Sequence, residues 1–230
     1  MFLRILFIIF FWSFSSFSLT LEKMNVKLSY PWGMTWIDST NLLITEKKSK
    51  KIILFDTKNN TSTKIEHQIP VAAIGQGGLL DIISEGNKVW VTCSIQKEGF
   101  LTTAIFKSRL EKNSLVDTQL IFEALPYINN SKHFGSRLVI QGDYLFASIG
   151  ERGEGMISQD SSNAIGSIIR IHKDGSIPND NPYINNSDWL PEIFQIGVRN
   201  PQGMSLDPLT NKVYISNHGP KGGDFIGPVL

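Results

Sequence analysis

Four times along this chain a short apolar run passes through a polar turn into a second apolar run, and no other feature restricts the fold as much. Residues 33–37 lead through Asp38-Ser39-Thr40-Asn41 into 42–45, and a third run follows at 51–56. Residues 78–83 lead through Glu85-Gly86-Asn87 into 89–92, then 103–106. Residues 137–140 lead through Gly142-Asp143 into 144–148, then 167–171. Residues 203–206 lead through Pro208-Leu209-Thr210-Asn211 into 213–216, where the chain nearly ends, so that unit is expected to have two strands. The second runs start at Leu42, Val89, Tyr144 and Val213, at intervals of 47, 55 and 69 residues. No sustained 3.6-residue period appears after the first eighteen residues, so the described pattern reads as all-β. Strand units recurring at about 40–50 residues plus insertions are the signature of propeller blades. A β-sandwich would explain the strands but not their recurring order.

Four units do not close a ring, and a propeller hides its strand edges by closure. The fold expected is therefore an incomplete β-propeller of about four blades over residues 19–230. Residues 1–18 differ in kind. Arg4 precedes an apolar core, Ile5-Leu6-Phe7-Ile8-Ile9-Phe10-Phe11-Trp12, and Ser16-Phe17-Ser18 gives a small-x-small end. This is a secretory signal pattern. Its apolar core falls short of the roughly 20 residues that span a bilayer. Export to the periplasm or the medium is expected, with the mature chain starting near Leu19 and no stable membrane insertion. Lys plus Arg number 22 against 21 Asp plus Glu, a balance that leaves no footprint for nucleic acid. Cys93 is the only cysteine, so no disulfide forms within the chain, and its strand-like surroundings suit a buried small hydrophobe.

Loops mounted on rigid strands are where binding and catalysis concentrate. His133 stands just ahead of a strand, as a general base or as a plain turn histidine. Arg199 offers a permanent cation with a planar donor fork, for an oxyanion or carboxylate, or for an ion pair holding two blades. Gly219-Pro220 presents backbone carbonyls of the kind calcium takes, in a dipeptide that elsewhere only punctuates loops. His218 is a candidate local hydrogen-bond partner. Gln76 lies among glycines that permit unusual backbone angles or close approach of a ligand. No Lys-Ser/Thr or helix follows those glycines, which excludes a phosphate cradle. Asp160, Asp174 and Asp180 sit in Asn/Ser/Gly loops, where turn capping is expected. No zinc spacing and no Gly-x-Ser-x-Gly elbow occurs.

Seven segments fall in a distinctive order: Pro31-Trp32-Gly33-Met34, Gly75-Gln76-Gly77-Gly78-Leu79-Leu80-Asp81, His133-Phe134-Gly135-Ser136-Arg137-Leu138, Ser148-Ile149-Gly150-Glu151-Arg152-Gly153, residues 174–182, Arg199-Asn200-Pro201-Gln202-Gly203 and His218-Gly219-Pro220. In them the chain resembles the soluble quinoprotein sugar dehydrogenases, the glucose/sorbosone dehydrogenase family. The resemblance implies a six-bladed propeller that binds pyrroloquinoline quinone and calcium. It implies oxidation of an aldose sugar to its lactone, with electrons passed to an external acceptor. It further implies His133 as base at the anomeric hydroxyl and Arg199 as the cation beside the quinone carbonyl. Gln76 matches a polar residue at the substrate or cofactor, Asn200 a cofactor contact, and Gly219 and Pro220 the calcium-binding carbonyls.

Three departures accompany the match. Lys132 stands where an acidic residue often precedes the base, and Val198 where a histidine commonly precedes the Arg-Asn pair. After Asp224 the family's Glu-Ile-Asn gives way to Phe225-Ile226-Gly227-Pro228-Val229-Leu230, which reads as a C-terminal truncation. The alternative expectation is an inactive truncated propeller, serving at most as a carbohydrate- or protein-binding module.

Overall fold

In the computed structural model, which describes residues 19–230, fifteen strands form four antiparallel meanders in strict chain order. The first holds β1 (Pro31–Trp36), β2 (Asn41–Glu46), β3 (Lys51–Asp56) and β4 (Thr61–Ile65). The second holds β5 (Leu79–Glu85), β6 (Lys88–Lys97), β7 (Phe100–Glu111) and β8 (Ser114–Glu123). The third holds β9 (Gly135–Gln141), β10 (Tyr144–Ile149), β11 (Ser167–His172) and β12 (Ile193–Ile196). The fourth holds β13 (Pro201–Leu206), β14 (Val213–Asn217) and β15 (Phe225–Pro228). The expected signal segment, residues 1–18, lies outside the described residues. Among those described, no helix is long and apolar enough to cross a membrane.

The innermost strands β1, β5, β9 and β13 pack successively against one another, so the meanders are blades set around a common axis. One apolar cluster fills each gap between neighbours. Leu43, Ile52, Leu79, Val91 and Cys93 lie between the first and second blades. Trp90, Ile105, Leu145 and Ile169 lie between the second and third. Val139, Phe146, Ile168, Val213 and Ile215 lie between the third and fourth. Successive side chains of a strand point to opposite faces. In β10, Leu145 and Ala147 therefore enter one cluster while Phe146 enters the next. A blade with neighbours on both sides buries both faces of its inner strands, and β10 and β11 are buried at all but one position each.

In the first and fourth blades the polar turn between first and second strands is built on an aspartate. Asp38 Oδ1 accepts the amides of Thr40 and Asn41, each at 2.8 Å, and Asp207 Oδ1 accepts the amide of Leu209 at 2.9 Å. Asp160 and Asp174 cap their loops in the same way, through Ser162 and Ser176. Asp180 departs from that expectation. It accepts the guanidinium of Arg170 at 2.8 Å and the hydroxyl of Tyr144 at 3.1 Å, pinning the 173–192 loop to the third blade.

Two strand expectations need correction. Three of the units carry a fourth strand, because an outer edge strand such as β4 is almost wholly exposed and shows no apolar signal. The last unit has three strands rather than two. Phe225–Pro228 pairs with β14 from Asn217↔Phe225 to Tyr214↔Pro228. Pro228 is tolerated there because β15 is an edge, and an edge strand can leave amide positions unpaired.

Candidate active site

In an antiparallel meander, the start of the first strand, the end of the second and the start of the third share one end of the blade. Lys47 follows β2, Gln76 precedes β5, His133 precedes β9, Glu151 follows β10, Arg199 and Asn200 precede β13, and His218 and Gly219 follow β14. All of these positions therefore gather at one end of the blades. There they surround a cavity of about 370 Å³ lined by Lys47, Gln76, His133, Arg199, Asn200, Gln202, His218 and Gly219. Five of the six residues that the family resemblance assigns to the site line it, as does His218. The sixth, Pro220, follows directly in the same loop, where its carbonyl accepts the Gly223 amide at 3.0 Å.

His133 is held from three sides. Its backbone amide donates to Gln76 Oε1 at 2.8 Å, which makes Gln76 a bridge between the second blade's entry loop and the histidine. Its φ of +49° lies in the left-handed region, a strained setting for a side-chain-bearing residue. The backbone there passes against the end of β10, so a Cβ on Gly150 would lie 2.0 Å from the His133 carbonyl oxygen. That close crossing brings Glu151 to the imidazole. Glu151 Oε1 lies 2.5 Å from His133 Nδ1, with Glu151 buried. A carboxylate accepts only, so in the neutral ring the proton lies on Nδ1 and Nε2 is left with its lone pair.

Arg199 approaches the same carboxylate, its Nε 3.7 Å from Glu151 Oε1. The Glu151 amide donates to the Arg199 carbonyl at 2.8 Å, tying the third blade's loop to the entry of the fourth. Asn217 Oδ1 accepts the amides of both Arg199 and Asn200, at 3.1 and 3.0 Å. Asn200 Oδ1 accepts the Gly135 amide at 3.1 Å. Arg199 Nη1 reaches the carbonyls of His218 at 3.2 Å and Gly219 at 3.4 Å. Arg199 thus joins two blades and also lines the cavity. His218 Nδ1 lies 3.8 Å from Asp224 Oδ1, while Asp224 also accepts the Gly219 amide at 2.9 Å.

Sequence reasoning did not single out several residues that build this end of the molecule. Glu151 lies in a quoted motif, but its partner is fixed by the backbone crossing at Gly150. Arg152, next to it, is fully buried and lies 3.7 Å over the Phe134 ring. It donates to the carbonyls of Leu101 at 2.8 Å, Lys132 at 2.9 Å and Asn130, so a buried cation clamps the segment that carries His133. Burial pushes its guanidinium down to about 10. Asp81 accepts Arg137 Nη1 at 2.7 Å and the Leu138 amide at 2.8 Å. Burial nevertheless pushes its carboxyl up to about 6. Cys93 is buried in the core, and burial raises its thiol above the usual range, which removes it as a nucleophile. Among the described residues no cluster of three metal-ligating His, Cys, Asp or Glu side chains occurs.

The glucose/sorbosone dehydrogenase family model matches residues 28–229. The chain belongs to this family. An aldose sugar dehydrogenase of Escherichia coli K12, YliI, is 31% identical over 218 residues, covering 91% of this chain and 59% of that protein. Quinoprotein glucose dehydrogenase B of Acinetobacter calcoaceticus is 25% identical, covering 88% of this chain and 49% of its own length. The crystal structure of the soluble E. coli aldose sugar dehydrogenase in its apo-form superimposes with a TM-score of 0.82 at 32% identity, over 87% of this chain and 60% of that one. The chain thus spans about half to three fifths of the length of these relatives, and its four blades are part of the family's propeller.

Proposed function

We propose that this chain carries the catalytic half of a sugar dehydrogenase that oxidises an aldose at its anomeric carbon to the lactone, with pyrroloquinoline quinone as acceptor. The observation that carries the reading is the His133–Glu151 pair facing a polar, cationic cavity beside Arg199. The cavity wall suits a flat polyanionic quinone. It presents two cations, Lys47 and Arg199, with amide side chains from Gln76, Asn200 and Gln202, and no carboxylate lines it among the described residues.

In this reading His133 Nε2 takes the proton of the anomeric hydroxyl, and Glu151 on Nδ1 holds the ring's orientation and stabilises the imidazolium that forms. The quinone, when bound, supplies the two-electron acceptor for the hydride leaving the anomeric carbon. Arg199 places a fixed positive charge where a reduced oxygen would carry its negative charge. Gln76 keeps the His133 backbone in register, and Asn200 does the same for Gly135.

Calcium is part of the proposal in a limited sense. The Gly219 oxygen is already engaged by the Arg199 guanidinium, which would have to turn aside toward an anionic ligand before calcium could take that oxygen, and the Pro220 oxygen keeps one lone pair beside its bond to Gly223. Calcium takes about six to eight oxygens. The loop would give at most these two, and the ligand and water the rest. The place of action proposed is the periplasm or the medium, with an external electron acceptor.

Calorimetric titration of pyrroloquinoline quinone with calcium into residues 19–230 tests the reading. Saturable binding is expected, weakened about 10- to 100-fold by Arg199→Ala, the cost of one hydrogen bond to a charged group. Aldose-dependent dye reduction should accompany it. Binding without turnover would favour the alternative, a carbohydrate- or protein-binding propeller segment. A folded chain that binds no quinone would overturn the proposal.

A further inference from the structure

We propose that Lys47 is the carboxylate-binding residue of the cavity, an inference that rests on the cavity's being the ligand site. Lys47 follows β2 in the first blade, so it reaches the cavity from the opposite end of the arc to Arg199. Its position is built from both neighbouring strands. Its amide donates to the Tyr30 carbonyl at 2.9 Å, and its carbonyl accepts the Leu79 amide at 3.1 Å. Gly78, at a φ of +150°, passes so close that a Cβ there would lie 2.2 Å from the Lys47 carbonyl oxygen and 2.6 Å from its Cγ. The backbone and the root of the side chain are therefore fixed, and only the ammonium end is free to meet a ligand.

That ammonium has no carboxylate partner among the described residues. The other cations of this end have partners: Arg199 is near Glu151, Arg137 is bound to Asp81, and Lys48 donates to the carbonyls of Gly75 and Gly77. Lys47 is partly buried, and both burial and the neighbouring Lys48 lower its pKa, with no carboxylate acting against them. A partly desolvated, unpaired cation on a cavity wall is stabilised by an anion, and its charge would be met by a carboxylate. Two ligands carry that group to this cavity: the quinone, through its carboxylates, and a sugar acid.

Calorimetric titrations with pyrroloquinoline quinone and, separately, glucuronate separate the two sources. Each is run on the unsubstituted chain, Lys47→Met and Lys47→Arg, with thermal unfolding to show that the variants fold. Lys47→Met should weaken one of the two ligands by about tenfold or more, and Lys47→Arg should restore most of it. Loss for the quinone assigns Lys47 to the cofactor, and loss for glucuronate alone assigns it to an acidic substrate. Quinone binding that is equal in the unsubstituted chain and Lys47→Met, with no effect on glucuronate, overturns the role of Lys47 but leaves the sugar oxidation reading standing. Lys47-dependent glucuronate binding without quinone binding does the reverse. A chain that binds neither carboxylate overturns both.

Discussion

Asp81 shows how a single buried residue sets a pH dependence. Its carboxyl has lost its water, and one guanidinium and two amides do not make up the difference, so its pKa rises from 3.8 to about 6. The folded state therefore holds the proton more tightly than the unfolded chain does. The sign follows directly. Its contribution to stability is fully present below about pH 4 and is lost as the pH rises through about 6. A shift of this size corresponds to roughly 3 kcal/mol. Urea unfolding at pH 4 to 7 should show that slope in the unsubstituted chain, and Asp81→Asn should flatten it. Equal slopes in both would mean that Arg137 keeps Asp81 ionised throughout.

At the scale of elements, the site depends on two strand ends crossing at contact distance. Gly135, at a φ of +62°, and Gly150 let the start of β9 pass against the end of β10, and this sets His133 beside Glu151. A methyl at Gly150 would collide with the His133 carbonyl carbon and oxygen, which are backbone atoms with no rotamer to escape into. Gly150→Ala should therefore lower stability by about 1–3 kcal/mol and weaken ligand binding more than the loss of stability explains. Thermal unfolding and titration on the same preparation check both parts. The neighbouring Arg152 clamp should keep the rest of the third blade folded, because its carbonyl partners lie in other segments.

Across the whole molecule the blades are joined by apolar clusters between faces and by polar contacts near the axis, among which Arg137 reaches furthest. Arg137, from the third blade, donates to Asp81 in the second at 2.7 Å and to the Gln202 carbonyl in the fourth at 2.9 Å. It also lies 4.3 Å over the ring of Trp32 in the first. One guanidinium thus touches all four blades. Arg137→Met would strand the buried Asp81 and should cost about 3–5 kcal/mol. The same substitution made in Asp81→Asn should cost clearly less, because no uncompensated charge is left behind. A double-mutant cycle in urea measures the difference. Additive costs would reduce Arg137 to a packing residue.

The sequence by itself determined the blades. Period-two apolar runs separated by aspartate, asparagine and glycine turns are local signals, and strand alternation and turn chemistry act over a few residues. It also picked out loops that the fold brings together, since Gln76, His133, Arg199, Asn200 and Gly219 all line one cavity. Outer edge strands stayed hidden because exposed strands such as β4 carry no burial pattern, and β15 was obscured by Gly227 and Pro228. Only the tertiary structure decided the partners. Glu151 faces His133 because two glycines let distant backbones touch, Lys47 reaches the cavity because Gly78 makes room for it, and Asp81 meets Arg137 across a blade boundary. Those pairings depend on how blades stack around an axis, and no local pattern of residues encodes a contact made between separate blades.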